Sequence, residues 1–268
     1  MPAGQKKVAK ILFEDPSKIA FKPAFEIGNL VNASESTVIR LSQTLGYKGY
    51  AELQEFVQKE ITKGRTVVQH QEISNIGKEQ PFFKTVMAED ISNIQSTMND
   101  IPEETIEEAV KLISEAKNVY IIGNLSTYGL AHFFAHWMNT VFRNVEMINY
   151  GDPRYYTQIS NFNSDTVIIS IVFPRYAKST METVKYGKQR GAKVVAITDS
   201  ELSPVHSYAD IMLKTVIHSK INIDSYLAPM SLINAIMRSV TIKNSQRVEE
   251  NLKEIEKVYK DNDVFHSE

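Results

Sequence analysis

Three short apolar runs, VYII at 119–122, TVIISI at 166–171 and VVAIT at 194–198, are set apart by helical segments, Gly129 to Phe142 and Ser179 to Arg190. Runs that are apolar throughout, rather than alternating, suit strands buried on both faces. Parallel neighbours need a crossover between them, and a helix of about a dozen residues supplies it. The pattern therefore predicts a three-layer α/β body with a parallel sheet between helices. A weaker run, Val145 to Ile148, lies between the first two. Phe82 to Asn99 reads as a helix ahead of this body, and Pro102 opens another that runs to about Ala116. The tail, Leu227 to Tyr259, also reads as helical and turns highly charged after Lys243.

The first ~60 residues contain no strand pattern, only short helices with tight connections. Gln5 to Glu14 puts Val8, Ile11 and Leu12 on one face, and Pro16 stops it. Ala24 to Val31 follows Pro23 and breaks at Asn32 and Ala33. Ser34 is a good N-cap for a helix that runs to Leu45 and is closed by Gly46. Tyr50 to Ile61 then places Leu53, Phe56, Val57 and Ile61 together. Residues 1–62 thus read as an all-α helix-turn-helix domain. A polar stretch with two glycines, 63–81, reads as the linker, and 82–268 as the second domain.

Composition narrows the function classes. The chain has 268 residues, 43% of them apolar, which is enough for a real core and excludes wholesale disorder. With no cysteine, disulfide frameworks, thiolate metal sites and cysteine nucleophiles are excluded together. No apolar stretch approaches membrane-spanning length and the N-terminus lacks the apolar run of a secretory signal, so a cytoplasmic protein is expected, with no membrane partner. The net charge of −2 hides an asymmetry: Met1 to Tyr50 holds seven basic against four acidic side chains, which leaves −5 on the rest. A basic head on an acidic body suits a small DNA-contacting module, although an ordinary solvated surface gives the same excess.

The helix after Ser34 can be read by its faces. Val38, Leu41 and Leu45 fall together and would pack inward, which turns Ser36, Ile39, Arg40 and Gln43 outward. Arg40 can pair with guanine and Gln43 with adenine, while Ile39 can touch a thymine methyl. Lys48 and the helix's first amides are placed to meet phosphate. Ser34 and Thr37 complete the candidate DNA-contacting set. The alternative is a helical bundle whose outward polar residues are merely solvated.

The wording of this segment adds to the reading. Ser34-Glu35-Ser36-Thr37-Val38-Ile39-Arg40 followed by Leu45-Gly46-Tyr47-Lys48-Gly49-Tyr50 closely resembles the helix-turn-helix domain of the RpiR family of bacterial transcription regulators. There a capped S-x-x-T-x-x-R helix leads into L-G-[YF]-x-G-[YF]. The order that follows, linker, long helix and sheet domain, resembles the family's SIS (sugar isomerase) domain, so the likeness covers nearly the whole chain. It departs at Asn32 and Ala33, where the turn more often has Gly and Val.

In an open parallel sheet, ligands sit outside the carboxyl ends of the strands. Here those loops are 123–128, 172–180 and 199–203. The resemblance implies that they bind a phosphosugar, through a first loop of the form G-x-G-x-S and a second of the form S-x-S-G-x-T. This chain has Gly123-Asn124-Leu125-Ser126-Thr127 and Val172-Phe173-Pro174-Arg175-Tyr176-Ala177, so the hydroxyls of the second motif are lost. A guanidinium beside a ring can instead clamp a carboxylate or phosphate at two points. The expected ligand is a small acidic metabolite held by Arg175, with Asn124, Ser126, Thr127, Phe173, Tyr176, Ser179 and Thr180 around it. The alternative for Arg175 and Tyr176 is a contact with a neighbouring subunit.

Other signals are weaker. Gly123 to Gly129 lacks the glycines of a dinucleotide loop, and His132 with His136 lacks a third ligand, so no cofactor and no metal site is expected. Glu182 and His206 are the nearest acid/base groups for an isomerase, and a solvated helix face accounts for Glu182 as well. The expected function is a regulator that binds operator DNA as a homodimer or homotetramer and performs no catalysis. A sugar-phosphate isomerase, or a body that serves only to dimerise, is the alternative.

Overall fold

A computed structural model describes residues 1–14, 16–62, 82–201, 203–219 and 223–265. The expected linker, 63–81, lies outside the described residues. The chain divides into two compact units, Met1–His70 with Leu202–Ser207, and Gln71–Glu201 with Tyr208–Glu268.

The first unit is built from α1 (Ala3–Glu14), α2 (Pro16–Phe21), α3 (Ala24–Leu30), α4 (Glu35–Thr44) and α5 (Tyr50–Thr62). Pro16 does not only end α1, as the sequence suggests. It occupies the first position of α2, where its missing N–H costs nothing. Val8, Ile19, Ile27, Val38, Leu41 and Leu53 form the core. Side chains of α5 fasten α2 by its carbonyl end. The Tyr50 hydroxyl lies 2.9 and 2.6 Å from the carbonyl oxygens of Ile19 and Lys22. Gln54 Nε2 donates to the same two oxygens and Gln58 Nε2 to Ala20 O. Burial, with the Glu26 carboxylate nearby, pushes the Tyr50 phenol above its ordinary pKa, so it stays a donor at any physiological pH.

The second unit carries a five-stranded sheet of order β2-β1-β3-β4-β5 in which every pairing is parallel. Its strands are β1 (Asn118–Ile122), β2 (Val145–Ile148), β3 (Thr166–Ile171), β4 (Lys193–Thr198) and β5 (Ile211–Lys214). The central strand β3 is buried at every position, as its unbroken apolar run requires. The helices are α6 (Phe82–Asp100), α7 (Glu103–Glu115), α8 (Tyr128–Phe142), α9 (Tyr155–Ser160), α10 (Lys178–Gln189), α11 (Leu227–Lys243) and α12 (Ser245–Asp261). On one face of the sheet, Val119, Ile121, Val167 and Ile169 join Ala109, Phe134 and Ile236 of α7, α8 and α11 in the main core. The other face meets α10, where a Cβ on Gly187 would lie 2.2 Å from Ile168 Cδ1 and 3.2 Å from Phe162. Helix approach here is close enough to exclude a side chain.

Three elements differ from expectation. The tail is two helices, broken at Asn244, whose Nδ2 donates to Val240 O and Ser114 Oγ. Strand β5 and helix α9 were not expected, because four and six residues are too few to show a period.

Asp210, just before β5, ties the sheet edge to α10. Its carboxylate accepts from Lys188 Nζ, from Lys193 Nζ at 3.3 Å and from the Val194 amide at 2.8 Å. Partial burial pushes its pKa up, but the hydrogen bonds and the lysine charges outweigh this and hold the carboxyl below the ordinary value. A depressed carboxyl stabilises the fold above its unfolded pKa, near ~3.9, and the benefit is lost as pH falls through the folded value. Asp210→Asn should thus cost about 1 kcal/mol at neutral pH in urea unfolding. The gap from wild type should close in acid; a gap independent of pH would contradict this role.

Candidate functional site

The head presents α4 after a tight turn. Gly28 in α3 is approached so closely that an added Cβ would lie 2.6 Å from Ala33 O and 3.2 Å from the Ser34 carbonyl carbon. Ala33 N donates to Gly28 O at 2.9 Å, and Asn32 takes the left-handed backbone at φ 53°. Asn is among the few side chains that tolerate that conformation, which is how the turn closes without glycine.

Behind the turn, Val38 and Leu41 are fully buried, while Ser36, Arg40 and Gln43 are exposed. Ile39 is half-buried against the head core, so it has less surface to offer than its spacing suggests. Leu45 does not pack inward as expected; it is exposed because α4 ends at Thr44 and Gly46 turns the chain with φ 95°. Phe56 is exposed too, and its ring meets Tyr47 at 5.5 Å. Ser34 stands at the N-cap position without a side-chain capping bond. Its hydroxyl instead lies 2.8 Å from that of Ser36 and 2.9 Å from that of Thr37. The first amides of α4 are therefore not taken up by this hydroxyl. Lys48 is exposed, and its backbone N–H donates to Glu52.

In the second unit the chain passes from β1 outward to β2, then returns to β3 on the other side of β1. The carboxyl ends of β1 and β3 therefore flank a topological switch point, the position at which open sheets of this kind form a ligand crevice. Gly123, at the end of β1, has Thr127 O within 2.8 Å of where a Cβ would stand. The Thr127 hydroxyl lies 3.0 Å from the carbonyl oxygens of Asn124 and Ile171. Asn124 Nδ2 donates to Thr180 Oγ1 at 2.9 Å, and all three side chains are buried. Asn124, Thr127 and Thr180 thus lock the two loops to each other. Ser126 is exposed and its hydroxyl lies 2.8 Å from that of Tyr226.

Beyond β3, Phe173 is buried and stacks obliquely on Tyr226 at 5.4 Å. Arg175 is exposed, and it and Tyr176 have positive φ, 70° and 27°. Tyr176 donates to the Asp199 carboxylate at 3.2 Å. Ser179 is half-buried. The crevice therefore brings Ser126, Arg175, Tyr176 and Ser179 to the surface and turns Asn124, Thr127, Phe173 and Thr180 inward. Two of its members were not expected. Asp199 follows β4 directly and could have been found from its place at a strand's carboxyl end, whereas Tyr226 lies outside every strand loop.

Two cavities of about 560 and 1070 Å³ open elsewhere, beside α8 and α12. His132 and His136 line the first and are exposed. Among the described residues no group of three or more ligating side chains could hold a metal ion. Glu182 and His206 are exposed. No helix among the described residues is long and apolar enough to cross a membrane.

A helical head with a recognition-type second helix and a parallel-sheet body define a helix-turn-helix protein carrying a SIS domain. Residues 1–64 match the model of the helix-turn-helix domain of the rpiR family, and residues 112–239 match that of the SIS domain. The chain thus has the two-domain composition of the RpiR regulators, an rpiR-type helix-turn-helix domain and a SIS domain. An HTH-type transcriptional regulator of Haemophilus influenzae is 27% identical to it over 78% of this chain and 73% of its own length. The sugar isomerase domain of an RpiR transcription factor from Sphaerobacter thermophilus superposes with a TM-score of 0.63 at 24% identity, over 66% of this chain and 99% of that one. The Vibrio vulnificus NanR protein complexed with ManNAc-6P gives 0.62 at 15% identity, over 97% and 93%. Both have the same fold as this chain.

Gly28→Ala tests the turn that presents α4. Helix propensity favours alanine by about 1 kcal/mol, but the clash is with backbone that cannot rotate away, and overpacking of this kind costs ~1–3 kcal/mol. Amide hydrogen exchange in α3 and α4 of the full chain should quicken. Unchanged protection would mean that the close approach is not needed.

Proposed function

We propose that this chain is a transcription regulator whose α4 reads operator DNA and whose body senses a small acidic metabolite. The observation that carries the first half is the division of α4: Val38 and Leu41 face the core, and Arg40 and Gln43 stand exposed with Ser36. Those are side chains that discriminate base edges in the major groove, with Lys48 and the first two amides of α4, ahead of Thr37, left for phosphate. One such helix reaches few bases, so two copies act on a site with two-fold symmetry. Such a protein works in the cytoplasm.

The ligand reading rests on the crevice between β1 and β3. The NanR protein of similar fold is complexed with ManNAc-6P, which favours a phosphosugar. The S-x-S-G-x-T hydroxyls are missing here, so an acidic group meets the Arg175 guanidinium and the Ser126 and Ser179 hydroxyls instead. A carboxylate satisfies that chemistry as well as a phosphate does. Binding rather than turnover fits best, because Glu182 is solvated rather than enclosed and the Asp199 carboxylate is engaged by the Tyr176 hydroxyl. Coupling to the head would run through α6. What supports that route is Tyr226, which meets Ser126 and Phe173, and its neighbour Ser225, which donates to Asp90 of α6.

Two experiments test these halves separately. At fixed salt, Arg40→Ala should weaken binding to a selected operator by about 1 to 3 kcal/mol while leaving binding to random duplex nearly unchanged. An unaltered operator affinity rejects base reading. For the body, melting of the full chain is followed against phosphosugars and carboxylates; a ligand at about 100 times its Kd adds ~2.7 kcal/mol. Arg175→Ala should abolish the shift. Silence across the panel would reject sensing.

A further inference from the structure

Strand β2 stands at the edge of the sheet, and the cavity of about 560 Å³ lies along it. Glu146 and Met147 line this cavity from β2, His136 and Arg143 from α8 and its end, and Arg154 and Gln158 from the N-cap and body of α9. Gln158 is only 6% exposed, and its amide is fixed. Nε2 donates to Glu146 Oε2 at 3.0 Å and to Met147 O at 3.3 Å. Both partners are acceptors, so turning the amide over would lose both bonds. Oε1 is thereby left without a hydrogen-bond partner among the described residues. Buried acceptors are normally paired, so the cavity calls for a donor that its own walls do not supply.

The charges around that acceptor narrow what can bring the donor. Two guanidiniums, Arg143 and Arg154, line the cavity against one carboxylate, Glu146. Each arginine has an ion pair with an acid outside the lining, Arg143 with Glu254 and Arg154 with Asp152. Those pairs occupy Nη1 and Nη2 of Arg143, the second on Asn251 O, and Nε and Nη2 of Arg154. A guanidinium has five N–H groups, so both keep donors for a further acceptor. Arg143 precedes β2 and Arg154 follows it, so the two cations come from opposite ends of the strand. Glu146 stands near enough to Arg154 for their charges to interact.

We propose that this cavity is a second ligand site, separate from the crevice, and that it takes an acidic α-amino acid. The ammonium donates to Gln158 Oε1 and the Glu146 carboxylate. The α-carboxylate beside it accepts from Arg154, and the side-chain carboxylate accepts from Arg143. A plain dicarboxylate lacks the donor that Gln158 needs, and a neutral amino acid leaves one guanidinium unmet. A sugar phosphate has hydroxyl donors but carries its charge at one end. The volume lies within the range of small-molecule pockets. No residue of the crevice between β1 and β3 lines this cavity, so the two sites can be filled independently.

Calorimetric titration of the full chain tests this, with L-glutamate and L-aspartate as probes and glutarate and glucose 6-phosphate as controls. At least one of the two amino acids should give saturable heat, and both controls should bind it at least tenfold more weakly or not at all. Arg154→Ala, at an exposed position, should raise the dissociation constant at least tenfold. Glu146→Gln keeps an acceptor for Gln158 and removes only the charge; it should weaken the amino acid similarly, and it keeps the test open should Arg154→Ala not fold. Arg175→Ala, in the crevice, should leave the titration unchanged, so that a failure of the crevice reading and a failure of this one are told apart. No saturable heat from either amino acid overturns the proposal. So does glutarate or glucose 6-phosphate binding as tightly as the amino acid, affinity unmoved in both cavity variants, or affinity lost in Arg175→Ala.

Discussion

The reversal of strand order at β1, with β2 added on one side and β3 on the other, is the constraint on which the body depends. A parallel strand must be followed by a right-handed crossover, so once β2 lies on one side of β1 and β3 on the other, the loops after β1 and β3 are driven apart. The crevice is thus a product of strand order before any side chain is chosen. Gly123 and the Asn124–Thr180 hydrogen bond then fix its floor, and the positive φ at Leu125 and Arg175 lifts those two side chains outward. What the sequence varies is the lining. In this chain a guanidinium and a tyrosine stand where a hydroxyl-rich loop is usual in the family.

Tyr226 gives the crevice its third wall. It precedes α11, so nothing in a strand-loop rule points to it, yet it meets Ser126 through its hydroxyl and Phe173 through its ring. The next residue back along the chain holds α6. Crevice and helix are therefore joined by one short segment rather than by a long chain of contacts. Two discrete arrangements of that segment are all that a coupling of about 1 to 3 kcal/mol between sites requires.

Much of this was legible before any coordinates. Periodicity located β1, β3, β4, α4, α8 and α10 within about two residues, because each is long or uniformly apolar, and β2 showed only as a weaker run. The head's layout and the family followed from the Ser34–Arg40 and Leu45–Tyr50 wording. The failures have physical causes. Pro16 was read as a stop, when a proline is equally at home as a start. Leu45 falls in the right helical phase but sits where the helix ends, and Phe56, also in phase, stays exposed with only the Tyr47 ring against it. At the site, polar residue types were legible but not their direction: Thr127 and Thr180 look like ligand hydroxyls and serve as internal fasteners. The exposure of Phe83, Met87, Ile91 and Met98 on α6 was also hidden, since the same apolar spacing describes a helix buried in its own body.

The claim at the centre is that this molecule recognises a particular DNA sequence as a two-headed assembly. Selection of bound duplexes from a random pool, with the wild-type full chain at one moderate salt concentration, tests it most directly. The account predicts enrichment of a two-fold symmetric site whose half-sites lie one helical turn, or a multiple of it, apart. Recovery of a pool no different from the input would contradict it.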